Sequence, residues 1–131
     1  MNVDHLGLAV RSLPAALPKW ERLLGTSAST PEVVASQKVR VAFLEAGPTH
    51  IELLEPTSAD SAIGRFLDAR GEGMHHIAFS VPSVDRQLAG LAAHGERIID
   101  RAGRPGARGR IVGFAHPAAF GGVLVEFVEH L

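Results

Sequence analysis

The stretch HHIAFSV at residues 75–81 decides the fold, because it repeats the pattern of DHLGLAV at residues 4–10. In both, every second residue is bulky and apolar: Leu6, Leu8 and Val10 in the first, Ile77, Phe79 and Val81 in the second. The opposite face carries a histidine followed by small residues, His5, Gly7 and Ala9 against His76, Ala78 and Ser80. A two-residue period of this kind is a strand with one heavy side and one nearly empty side. The match is made at an offset of 71 residues, and it continues through Ser12 with Ser83, Leu17 with Leu88 and Phe43 with Phe114. Past the second hairpin loop the offset becomes 74, which pairs Ile51 with Val125, Glu52 with Glu126 and Glu55 with Glu129. Repetition on this scale means two copies of one supersecondary unit.

Each copy can be read outward from its first strand. Ser12 is an N-cap candidate before Leu13, Leu17, Trp20 and Leu24 at helical spacing, and Gly25 stops the run. Pro14 suits a first turn, whereas Pro18 predicts a kink or a late helix start. KVRVAFLEAG (38–47) and THIELLEP (49–56) read as strands joined at Gly47 and Pro48, with a further short strand near Val33. In the second copy Ser83 caps a helix of Val84, Leu88 and Leu91 that stops at Gly95, and RIVGFAHP (110–117) and GGVLVEFVE (121–129) supply strands. Between the copies, Ile63, Phe66 and Leu67 predict a short helix ended by RGEG (70–73). The expectation is an α+β chain of two tandem strand–helix–three-strand modules in one domain: module one about 1–57, a connector about 58–73 and module two about 74–131.

The bulk numbers bound the function. With 131 residues and 46% apolar content the chain can build its own core. Thirteen Lys and Arg against 14 Asp and Glu create no overall field, so neither nucleic acid nor an anionic membrane is an expected partner. The absence of cysteine removes disulfides, thiolate ligands and a cysteine nucleophile. No apolar run is long enough to span a bilayer, and the N-terminus enters a strand at once, so a cytoplasmic protein is expected.

Glu126 is the anomaly. It sits among Val123, Leu124, Val125, Phe127 and Val128, where an ionised carboxylate without a partner costs several kcal/mol or more. A lone strand histidine is usually a hydrogen-bonded core residue, and a lone strand glutamate usually faces solvent. Here both types recur at corresponding positions of two copies. A pseudo-twofold arrangement would bring His5, Glu52, His76 and Glu126 to one cavity, and two imidazoles with two carboxylates suit a divalent ion: Co, Mn, Ni, Zn, Fe or Mg. His75 falls on the face opposite His76, and His50, His94, His116 and His130 read as surface residues. The loop DRAGRPGARGR (100–110) carries Arg101, Arg104, Arg108 and Arg110 and leads into the strand of Phe114, so it reads either as a solvated loop or as an anion site at the cavity mouth.

These residues resemble the vicinal oxygen chelate superfamily (glyoxalase, bleomycin resistance and dioxygenase proteins), and within it the methylmalonyl-CoA epimerases. The matching stretches are DHLGLAV, QKVRVAFLEAG, IELLEPTSADSAIGRFLDARGEGMHHIAFSV, RPGARG and HPAAFGGVLVEFVE, which cover most of the chain. The resemblance implies two βαβββ modules forming a curved mixed sheet, a half-barrel around a metal cavity. It implies metal ligation by His5, His76 and Glu126, with Glu52 in the remaining position, and a homodimer to which Trp20 or Phe120 could contribute. The implied reaction interconverts (R)- and (S)-methylmalonyl-CoA through an enolate whose charge a divalent ion takes up, with Glu126 or Glu52 as proton acceptor and Arg104 and Arg108 binding the acyl-CoA. Val41 stands where some epimerases have a glutamate proposed as a base, Ala118 where a lysine is usual and Arg108 where a histidine is common. The alternatives are another metal-dependent member, such as a glyoxalase-like lyase or isomerase or a dioxygenase, and a metal-free small-molecule binding or resistance protein. A fourth protein ligand at Glu52 counts against the dioxygenase.

Overall fold

The chain is described by a computed structural model over residues 1–130. Strand β1 (Asn2–Ala9), helix α1 (Leu13–Leu24) and strands β2 (Glu32–Val34), β3 (Val39–Ala46) and β4 (Thr49–Pro56) form the first βαβββ module. Helix α2 (Ala62–Arg70) fills the connector. Strand β5 (Gly73–Ser80), helix α3 (Val84–Ala93) and strands β6 (Arg104–Pro105), β7 (Ile111–Ala115) and β8 (Val125–Glu129) form the second, so the α+β reading with two repeated modules holds. By contacts the chain groups into two compact units, His5–His75 and Met1–Asp4 with the chain from His76 onward. In the first the strand order is β2-β3-β4-β1, antiparallel except for the parallel pair β4 and β1. In the second it is β6-β7-β8-β5, with the same alternation of directions. Among the described residues no helix is long and apolar enough to cross a membrane.

Both module helices begin in the same way. Ser12 Oγ accepts the Ala15 N–H at 3.2 Å and Ser83 Oγ accepts the Arg86 N–H at 3.2 Å, each satisfying an orphan donor of the first turn. A second donor is satisfied from the last strand of the same module: Glu55 Oε2 accepts the Leu13 N–H at 2.8 Å, and Glu129 Oε1 accepts the Val84 N–H at 2.9 Å. A carboxylate there also complements the positive end of the helix dipole. The repeat of Glu55 and Glu129 is thus a pair of helix fasteners. Pro18 does not delay α1, which starts at Leu13 and runs through it. Its missing N–H leaves the Pro14 carbonyl without a helical donor, and both prolines are exposed, so water can serve that oxygen.

The heavy face of each first strand lies under its helix. Leu6 and Leu8 join Leu13, Leu17, Trp20 and Leu24 over Ala42, Leu44, Ile51 and Leu53. Ile77 and Phe79 join Val84, Leu88 and Leu91 over Ala115, Val125 and Phe127. Gly113 lets α3 approach β7 closely: a Cβ there would stand 2.8 Å from Leu88 Cδ1 and 2.9 Å from Val84 Cγ1. The second strand of the second module, β6, is only two residues long, because Pro105 cannot donate to a ladder. In the connector, Ser61 caps α2 by accepting the Gly64 N–H at 2.9 Å. Beside it the Ser58 hydroxyl and the Lys38 ammonium hold the Asp60 carboxyl below its ordinary value.

Two outcomes are expected from urea unfolding followed by circular dichroism. Glu55→Ala and Glu129→Ala each destabilise by about 1–2 kcal/mol, and their effects add, because each caps a different helix. Gly113→Ala costs about 1–3 kcal/mol through overpacking against Leu88 and Val84.

Candidate functional site

The nearly empty faces of β1 and β5 carry the chemistry. Parallel pairing sets Gly7 beside Glu52 on β4, and His5 lies two residues before Gly7 on the same face. With no side chain at Gly7, the Glu52 carboxylate can lean along the strand to the imidazole, and His5 Nε2 stands 3.3 Å from Glu52 Oε1. On the other flank of β4, antiparallel pairing puts Phe43 opposite Glu52. Its ring meets His5 edge to face at 6.0 Å between centroids. The His5 and Glu52 side chains are only 4% and 9% exposed.

The second unit repeats each step. Ala78 pairs with Glu126 and His76 lies two residues earlier, with His76 Nε2 3.2 Å from Glu126 Oε1. Phe114 is opposite Glu126, and its ring meets His76 edge to face at 5.7 Å. These side chains are 2% and 5% exposed. Below the pair, Ala78, Val112 and Val128 form a dry apolar layer.

The donor set fits a divalent cation. Ligand atoms about 2.1 Å from a metal ion, at angles between octahedral and tetrahedral, are about 3.0–3.4 Å apart. Each imidazole–carboxylate separation falls in that range. Nitrogen from imidazole and oxygen from carboxylate are ligands of hard to borderline ions, and an ion would offset the cost of burying the carboxylates.

The surroundings of the two pairs differ. Near Phe43 stands His50, half-buried rather than on the surface as its turn-side position predicts, its ring 6.5 Å from the Phe43 ring. It is held inward because it lies in register beside His5. Near Phe114 stands Arg104, whose guanidinium carbon is 5.4 Å from the ring centroid. Arg104 Nε lies 3.2 Å from Asp100 Oδ1, and Asp100 Oδ2 accepts the Phe114 N–H at 2.8 Å. Arg108 sits at the exposed turn of the loop with φ 59, a left-handed conformation. His75 packs edge-on against Phe66 at 5.1 Å, and His94 is exposed. His116 accepts the Ala118 N–H at 3.0 Å through Nδ1. Val41 is 1% exposed and presents an isopropyl group.

One polar cluster escapes sequence reasoning. Buried Asp4 accepts from the Ser80 hydroxyl at 3.1 Å and lies 3.4 Å from Arg110 Nη1, while His130 Nε2 stands 2.6 Å from its Oδ1. His130, just past β8, is on the surface as expected, its side chain 47% exposed, and it is paired there with Asp4. Asp4 and Arg110 are more than a hundred residues apart in sequence, and no motif links them.

The profile of the Glyoxalase/Bleomycin resistance protein/Dioxygenase superfamily matches residues 4–114. An uncharacterised Bacillus subtilis protein, YqjC, is 42% identical over 128 residues, covering 98% of this chain and 91% of its own. The mitochondrial methylmalonyl-CoA epimerase of Bos taurus is 34% identical over 129 residues, covering 98% of this chain and 74% of its own. The solved structure of a Streptomyces coelicolor methylmalonyl-CoA epimerase variant with 2-nitronate-propionyl-CoA superposes with a TM-score of 0.93 at 36% identity, covering 98% of this chain and 94% of that one.

Ala78→Leu places a branched side chain beside Glu126 at a position with no solvent exposure, and is expected to cost about 1–3 kcal/mol in urea unfolding. Ala89→Leu, at an exposed position of α3, should leave stability within about 0.5 kcal/mol of the parent.

Proposed function

Because the chain belongs to the glyoxalase/bleomycin resistance/dioxygenase superfamily and to its methylmalonyl-CoA epimerases, we propose that it is an isomerase interconverting (R)- and (S)-methylmalonyl-CoA. The observation that carries the reading is the recurrence of one buried imidazole–carboxylate pair, His5 with Glu52 and His76 with Glu126, at equivalent positions of two modules.

The reaction removes the proton alpha to a thioester and returns it to the opposite face. Its barrier is the charge left behind. We assign His5, Glu52, His76 and Glu126 to hold a divalent ion, one of Co, Mn, Ni, Zn, Fe or Mg, a choice supported by the ligand types and spacing of the two buried pairs. When bound, such an ion supplies Lewis-acid stabilisation of the charge that develops on deprotonation. Glu126 or Glu52 accepts the alpha proton, since position 41 offers only the isopropyl group of Val41. Phe43 and Phe114 hold the imidazoles in orientation and exclude water, which strengthens every polar interaction beside them. Arg108, on its exposed turn, is assigned to the phosphates of the CoA moiety. The two modules act as a single domain, and the protein works as a cytoplasmic homodimer.

The decisive experiment joins metal analysis of purified protein with deuterium exchange at the alpha carbon of methylmalonyl-CoA. The expected result is a stoichiometric divalent ion together with exchange in both epimers. His76→Ala loses both. Glu126→Gln and Glu52→Gln keep a neutral oxygen ligand, and the one that acts as base loses exchange by about 10²–10⁴-fold. Full exchange in metal-stripped protein would falsify the metal assignment.

A further inference from the structure

We propose that Arg104, held by Asp100, recognises the free carboxylate of the substrate and so determines specificity for a malonyl-type thioester over a simple acyl thioester. This deepens the epimerase reading and rests on it.

Two contacts position the guanidinium. Its carbon lies over the Phe114 ring, 5.4 Å from the centroid. Its Nε lies 3.2 Å from Asp100 Oδ1, and Asp100 is itself anchored by the Phe114 N–H on Oδ2 at 2.8 Å. The Nε approach is an ion pair without hydrogen-bond geometry, and the Nη edge of the guanidinium is left for a ligand. The arginine side chain is 33% exposed, so a ligand can reach it. An arginine drawn to a carboxylate on its Nε side and lying over a phenyl ring presents the forked donor pair that matches a carboxylate.

The position favours the acyl end of the substrate over the nucleotide end. Phe114, on which Arg104 lies, touches the ring of His76 edge to face, so the guanidinium is one phenyl ring away from the His76–Glu126 pair. The phosphates of the thioester lie a whole pantetheine arm away from the reacting carbon. The first module has no counterpart: the ring beside Phe43 is His50. A single fixed cation next to one pair gives a methylmalonyl group, with a carboxylate on one arm and a thioester on the other, a defined direction of binding. Asp100 is a positioning residue in this scheme, acting through the orientation of Arg104.

The test uses the metal-loaded protein and three variants, Arg104→Met, Arg104→Lys and Asp100→Asn. The alpha-proton exchange of methylmalonyl-CoA is measured together with inhibition by free coenzyme A. Arg104→Met is expected to raise KM by roughly 10- to 100-fold, the range for losing a hydrogen-bonded charge. The inhibition constant of coenzyme A and the metal content stay unchanged. Arg104→Lys recovers part of the KM, because it restores charge without the fork. Asp100→Asn raises KM in the same direction by less, with kcat changing little and coenzyme A inhibition unmoved, a split that a general loss of structure would not produce. An unchanged KM in Arg104→Met overturns the proposal while leaving the epimerase reading intact. So does a coenzyme A inhibition constant that rises in step with KM, since Arg104 would then hold the carrier and not the acyl group. Absence of exchange in the unmodified, metal-loaded protein overturns both.

Discussion

A carboxylate placed in the middle of an apolar strand must be met by something, and in this protein that requirement is imposed at Glu52 and again at Glu126. Burial at this level costs several kcal/mol unless the charge is partnered. The local answer is geometric. A residue with little or no side chain occupies the neighbouring strand directly beside each glutamate, and the histidine stands two residues away on the same face. A phenyl ring closes the opposite flank. None of these residues could be exchanged for a large polar one without reopening the problem that the arrangement solves.

The two faces of each first strand thereby take separate duties. The heavy face is committed to a helix, through Leu6 and Leu8 in one module and Ile77 and Phe79 in the other. The light face is left for polar atoms. A two-residue period makes this possible, since stability and chemistry are assigned to alternate residues of one segment and do not compete for the same positions. The glutamates at the far ends of β4 and β8 then tie each helix start to its own module.

Much of this was legible in the sequence for physical reasons. Alternation in DHLGLAV and HHIAFSV, serine caps at Ser12 and Ser83 and helical spacing after them are local signals, and the repeat doubled each one. The four pair residues were legible because their chemical type conflicted with their neighbours. What stayed hidden depends on distant contacts. His50 is drawn inward by its register with His5, and Asp4 finds Arg110 and His130 only after the strands have assembled. The fastening role of Glu55 and Glu129 was hidden for the same reason, although their repetition was visible. At Pro18 the late helix start does not occur, since α1 begins at Leu13 and includes the proline.

Gly113 and its counterpart Ala42 have a further consequence. Both lie on the strand beneath a module helix, yet one site accepts a methyl group and the other has atoms of Leu88 and Val84 where that methyl would go. The twin halves are therefore no longer interchangeable piece by piece, since a residue at home in one copy collides in the other. Their interiors keep the same alternation of apolar positions but fill it with side chains of different size, while the paired histidine, glutamate and capping serine positions keep their identity.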